Sequence, residues 1–141
     1  MRQSTEELTN EIANSNTLER WSEEKKDSID EITLAEYLER MLEKYQLQKK
    51  EVIIQAQLDT TYGYQIFQGK KNPTRDVLLK LAFGFPLTVD ETKHLLYYGN
   101  AGTLYPRVKR DAYIMYALHQ RYNVKQVNDY LYENNEKTLT I

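Results

Sequence analysis

Gln48 to Pro73 reads QKKEVIIQAQLDTTYGYQIFQGKKNP, and this stretch decides the fold. In Lys49–Ala56 the apolar residues Val52, Ile53 and Ala56 recur at helical spacing, which predicts a short helix with one buried face. Leu58 is an apolar plug in a turn, and Asp59 is a good N-cap for a second short helix. In that helix Ile66 and Phe67 point inward, leaving Thr60, Thr61, Tyr64, Gln65 and Gln68 towards solvent. Gly69 ends it as a C-cap glycine would, and the chain leaves through the basic loop Lys70-Lys71-Asn72. Two helices this short are unstable alone in water, so the chain must supply neighbours.

It does so on both sides. Ile32 opens the folded body, and Thr33-x-x-Glu36 is a capping box with Ile32 and Tyr37 placed as a hydrophobic staple. Leu34, Leu38, Met41, Leu42 and Tyr45 then form the inner stripe of a first helix. After the basic loop, Thr74 caps a fourth helix carried inward by Val77, Leu78, Leu81 and Ala82 and ended by Gly84 and Pro86. A second capping box, Thr88-x-x-Glu91, opens a fifth with Leu95, Leu96 and Tyr98 inward, stopped at Gly99. The periodicity throughout is helical, and the expected class is all-α.

The spacing of Val52, Ile53, Ala56, Leu58, Ile66 and Gly69 is followed by Asn72-Pro73 and the run Leu78-Leu79-Lys80-Leu81-Ala82. On these residues the stretch from about 34 to 84 resembles the lambda-repressor-like (Xre-type) helix-turn-helix family of bacterial and phage regulators. Three positions depart from that pattern. Gln57 stands where the family usually has Gly, Gly63 where a core aliphatic is usual, and Phe67 where many relatives have Glu. Gly63 costs about 1 kcal/mol relative to Ala inside a helix, which predicts that something packs close to it.

The resemblance implies a five-helix DNA-binding domain over residues 32–99 and a sequence-specific transcriptional regulator of double-stranded DNA. In such a domain the second helix of the pair lies in the major groove and the first bridges the backbone. By family position Thr60, Thr61 and Gln65 are the candidates for base edges, with Tyr64 on the same face. Gln can pair bidentately with adenine, and Thr can offer its hydroxyl or meet a thymine methyl. Gln68, Lys70, Lys71 and Asn72 are expected phosphate contacts, which position the module without reading sequence. Gln48, heading the first helix of the pair, is either a further phosphate contact helped by the helix dipole or an indifferent exposed residue. Tyr62 reads as core packing that fills the space left by Gly63.

The whole chain of 141 residues is slightly acidic, net −2, which is awkward for a nucleic-acid binder. The charge is unevenly spread, however. Residues 1–48 hold 12 Asp/Glu against 6 Lys/Arg, whereas residues 49–80 hold 6 basic against 3 acidic. The candidate DNA-binding stretch is thus the most basic part of an acidic protein. Its excess is modest, so binding as a homodimer is expected.

Residues 1–31 are polar and acidic, with Trp21 among the few large apolar residues, and read as a partly disordered or docked arm. Residues 100–141 lie beyond the expected domain and read as a helical hairpin packed on it. Tyr105-Pro106 is placed to start its first helix, with Ile114, Met115 and Leu118 inward. Asn123-x-x-Gln126 caps the second, with Val127 and Leu131. Arg107, Lys109 and Arg110 sit at the positive end of the first, so a partner is expected, either an internal carboxylate (Asp111 or one in the acidic arm) or an outside anion. The hairpin carries Tyr105, Tyr113, Tyr116, Tyr122, Tyr130 and Tyr132, which suits a dimer or partner surface.

Other chemistry has no footing in the sequence. With no Cys, disulfides, zinc fingers and thiol nucleophiles are excluded. His94 and His119 are isolated, and Gly99-Asn-Ala-Gly102 lacks the Lys-Ser/Thr of a phosphate loop. No enzyme activity, metal or cofactor is expected. No apolar run approaches the ~18 residues of a membrane span, and the polar N-terminus is unlike a signal peptide, so a cytoplasmic location is expected. The rival to the regulator is a protein-interaction module that keeps the fold but does not bind DNA.

Overall fold

Residues 32–140 are described in the computed structural model, and among them are seven α-helices and no strand. The expected arm, residues 1–31 with Trp21, lies outside the described residues. The helices are α1 (Leu34–Tyr45), α2 (Lys49–Gln55), α3 (Thr60–Phe67), α4 (Arg75–Gly84), α5 (Val89–Tyr98), α6 (Lys109–His119) and α7 (Val124–Glu133). The all-α class holds. From Leu34 onward the chain forms one unit, so α6 and α7 belong to the same body as the helices before them.

The core is built on α4. Every residue from Val77 to Gly84 is buried, as befits a helix that is apolar nearly all round. It packs against α2, α5 and α7, while α1 packs against α3 and α5 and α6 against α5 and α7. Gly84, its last residue, allows the closest approach to α2. A Cβ there would stand 2.9 Å from the Val52 carbonyl oxygen and 3.1 Å from both the Ala56 nitrogen and its Cβ.

Local signals place most helix ends. Asp59 accepts from Tyr62 N at 3.1 Å, Thr74 from Val77 N at 3.4 Å and Thr88 from Glu91 N at 3.1 Å. Asn123 and Gln126 form a complete capping box, 2.8 Å in each direction. One expected start is corrected. Tyr105-Pro106 does not open α6: Tyr105 O accepts from Val108 N in a turn, and the helix begins at Lys109. Asp111, in the first turn of α6, accepts the Tyr105 N–H at 2.9 Å and so folds that segment back outside the helix.

Glu91 does more than cap. Its carboxylate, on α5, accepts from Lys44 Nζ at 2.5 Å, from the Tyr45 hydroxyl and from Thr88 N at 2.9 Å. Its backbone oxygen accepts from Tyr37 at 2.9 Å, so four groups tie α1 and the start of α5 to one residue. Burial works to raise the Glu91 carboxyl, but the hydrogen bonds from Lys44, Thr88 N and Tyr45 outweigh it and hold it below its ordinary value. Burial, then the hydrogen bond and charge of Glu91, pushes the Tyr45 phenol up to about 12, which keeps it a donor.

A second clamp holds the end of the chain. Arg110 on α6 grips Asp76 on α4 with its two terminal guanidinium nitrogens, at 3.1 Å each, and donates to the carbonyls of Lys137 at 2.8 Å and Thr138 at 3.1 Å. Of the two partner types left open for the basic cluster, Arg110 thus has an internal carboxylate. That carboxylate is Asp76; the neighbouring Asp111 is taken by Arg75 at 2.7 Å. Burial raises Asp76, but the hydrogen bonds and charge of Arg110 prevail and lower it.

Both depressed carboxyls bear on acid stability. A group more acidic folded than unfolded contributes fully above its unfolded pKa and loses that contribution as pH falls through the folded value. Stability is therefore expected to be level above about pH 5 and to drop progressively below it. Urea midpoints across pH 2.5–7 check this, and Glu91→Gln flattens the acid limb.

Candidate nucleic-acid interface

The sequence of α3 sets an inner and an outer side. Gly63, Ile66 and Phe67 are buried, Tyr64 and Gln65 half-buried, and Thr60, Thr61 and Gln68 exposed. At 100° per residue, Thr60, Thr61, Tyr64, Gln65 and Gln68 share an arc of about 140°. All five candidates on α3 therefore lie on one face. None of these side chains makes a hydrogen bond to another described residue.

The end of α3 is fixed by glycine. Gly69 has φ +79°, its N–H bonds to Ile66 O at 3.0 Å, and Lys70 N bonds to Gln65 O at 2.9 Å. This paired reversal needs a left-handed residue, which glycine adopts without strain. It launches Lys70, Lys71 and Asn72 as an exposed loop before buried Pro73. Both lysines lack a carboxylate partner among the described residues. A Cβ on Gly69 would lie 3.6 Å from that of Ala35, so the loop leaves beside the start of α1.

The turn before α3 uses the same reversal without a glycine. Gln57 has φ +57°, with its N–H on Ile54 O at 3.0 Å and Leu58 N on Ile53 O at 3.2 Å. That conformation costs a non-glycine residue about 1–2 kcal/mol. Support comes from the core, where Lys80 Nζ donates to Gln57 O at 3.3 Å. Burial holds the Lys80 ammonium below the ordinary lysine range, with the Asp76 charge opposing it in part.

Gly63 proves to be the contact between α2 and α3. A Cβ built there would lie 2.6, 2.7 and 2.9 Å from the Cγ2, Cγ1 and Cδ1 atoms of Ile53. The space that glycine leaves is thus filled by Ile53, which is 1% exposed, and not by Tyr62, which stays half-buried at its own position. Without this approach α3 could not lie so close to α2.

The expected phosphate contacts divide between two places. Gln48 is the exposed N-cap of α2, with its N–H held by the Glu51 carboxylate at 3.0 Å. With Tyr64 it lines an open groove of about 890 Å³ between the second half of α1 and the start of α2. Lys70, Lys71 and Asn72, beyond the other end of α3, do not line that groove.

The groove adds two residues absent from the sequence-based set. Arg40 and Lys50 are exposed, line it beside Gln48, and have no acidic partner among the described residues. Arg40 is hidden in the sequence because it belongs to the acidic first third; only its place on the outer face of α1 reveals it. The groove is not uniformly basic, since Glu39 and Glu43 line it too and Glu39 pairs with Lys49 at 2.8 Å.

Elsewhere, no cluster of three His, Asp or Glu side chains capable of holding a metal occurs among the described residues. His94 is half-buried with its ring 6.5 Å from that of Tyr37, and His119 is exposed. No helix among the described residues is long and apolar enough to cross a membrane. Comparison with known proteins finds no matching family model, curated protein or solved structure.

Proposed function

We propose that this protein is a sequence-specific regulator that binds double-stranded DNA as a homodimer through a lambda-repressor-like helix-turn-helix formed by α2, its turn and α3. The observation that carries the reading is the outer face of α3. Five polar side chains share its outer side and make no hydrogen bond among the described residues, and a lysine pair follows directly behind them. Polar groups that a fold leaves uncommitted on a rigid helix are free to meet base edges and phosphates. Arg40 and Lys50 would extend the phosphate contacts on the Gln48 side. No catalytic role enters this reading.

Selection of bound fragments from a random duplex pool tests it directly. A recurrent motif is expected, with half-sites about one helical turn apart. Gln65→Ala should then cost about 1–3 kcal/mol on that motif while leaving nonspecific binding unchanged. Lys70→Ala and Lys71→Ala should each weaken every duplex alike and reduce the slope of log affinity against log salt by about 1. An unenriched pool sinks the regulator. The reading favoured then is a partner-docking module, for which the exposed Tyr97, Tyr105, Tyr116 and Tyr132 speak.

A further inference from the structure

α6 is apolar on two sides. Ile114, Ala117 and Leu118 are buried in the body. On the opposite side Val108, Ala112 and Tyr116, each four residues from the next, form an exposed ridge. Val108 is 48% and Tyr116 47% exposed, and Tyr105, 50% exposed, extends the apolar surface past the helix start. Residues four apart are neighbours along a helix, so the ridge is continuous.

Two further features mark this face. The Tyr116 ring is braced from behind by Tyr130 at 5.4 Å and Tyr122 at 6.3 Å, with Tyr113 against Tyr130 at 5.4 Å. An exposed aromatic already held in place loses little freedom when it is covered. Secondly, Arg107 and Lys109 are exposed at the positive pole of α6 and have no carboxylate partner among the described residues. Inside one chain that placement is unfavourable.

We infer that this ridge is where two copies of the chain meet, α6 lying antiparallel on α6 of the second copy about a two-fold axis at Ala112. The inference builds on the homodimer in the regulator reading and identifies its contact face. Self-complementarity is the first argument. A small residue flanked by a larger one four positions away on each side suits a two-fold axis, since Val108 then meets the second copy's Tyr116 twice over. Ala112 at the centre lets the backbones approach.

Charge is the second argument. In the antiparallel arrangement the long side chains of Arg107 and Lys109 reach towards the negative pole of the other copy's α6, so a misplaced pair of cations becomes a favourable one. A single ridge is at the small end of stable interfaces, so a dimer dissociating in the micromolar range is expected.

The chain contains no cysteine, which makes the test clean. Ala112→Cys introduces one thiol per chain, and a residue on a two-fold axis meets its own copy. Under mild oxidation without DNA, that variant should form a covalent dimer far faster than Thr60→Cys, another exposed position, on α3. In sedimentation at about 100 µM the parent protein should be largely dimeric and Ala112→Glu monomeric, with the helical circular-dichroism spectrum unchanged. The inference is overturned if the parent is monomeric at that concentration, if Ala112→Glu still dimerises, or if the two cysteine variants couple at equal rates. Loss of duplex binding with Ala112→Cys still coupling removes the regulator and leaves the dimer. Duplex binding by a protein that stays monomeric does the reverse.

Discussion

Gly63→Ala should destabilise the protein by about 2 kcal/mol, although helix propensity alone favours the change by about 1 kcal/mol. The added methyl would lie within 2.9 Å of three Ile53 atoms. Ile53 cannot give way easily, because it is β-branched and stiff at χ1, and it is 1% exposed. Relief requires α2 and α3 to part, which loosens the side of the core that carries the candidate base contacts. Forcing one methyl into a filled core costs about 1–3 kcal/mol.

The sharper form of this result is a reversal of sign. Ile53→Ala should itself cost about 2–5 kcal/mol, but in that background the methyl at position 63 has room. Gly63→Ala should then be neutral or stabilising, by up to about 1 kcal/mol. Urea midpoints of the two single variants and the double variant measure the coupling directly. If Gly63→Ala stabilises the parent chain, the close approach of the two helices is wrong.

Arg110→Met should cost about 3 kcal/mol, a large loss for one residue far from α3. Methionine keeps most of the bulk, so the change isolates the guanidinium. Arg110 and Asp76 side chains are 18% and 16% exposed, and removing the cation leaves a mostly buried carboxylate beside the carbonyls of Lys137 and Thr138. The tail should loosen as well. Leu139, 4% exposed and held by its N–H on Asn128 Oδ1 at 2.7 Å, should exchange its amide faster.

The pH response separates this clamp from an ordinary surface pair. With Arg110 present Asp76 is lowered, so acid removes stability. With Arg110 gone, only the Thr140 N–H and the Lys137 charge still oppose burial, so the same carboxyl rises and acid costs the variant less stability than it costs the parent. Adding Asp76→Asn to Arg110→Met should recover some stability, since no charge is then left unpaired. A loss under about 0.5 kcal/mol for Arg110→Met would reduce the clamp to a surface decoration.

What could be read from the chain alone was whatever depends on residues a few positions apart. The caps at Asp59, Thr74, Thr88 and Asn123 bond three residues ahead. Gly69 closes a reversal over five residues, and the buried faces of α2 and α3 follow from periodicity. These are local events, so spacing encodes them. The outer face of α3 came with the same periodicity, whereas only the family resemblance makes its residues candidates for base contacts.

Only the tertiary structure decided who fills the space at Gly63, which cations are committed and which α6 face stays bare. Ile53 reaches Gly63 through the crossing of two helices, Arg110 finds Asp76 rather than its neighbour Asp111 across 34 residues, and Lys44 and Tyr45 meet Glu91 across 47 and 46. Arg40 joins Gln48 and Tyr64 in one groove only once α1 has folded against its neighbours. Pairings of that range depend on how helices cross. A helical repeat specifies which side of each helix is apolar, but not which helix will lie against it.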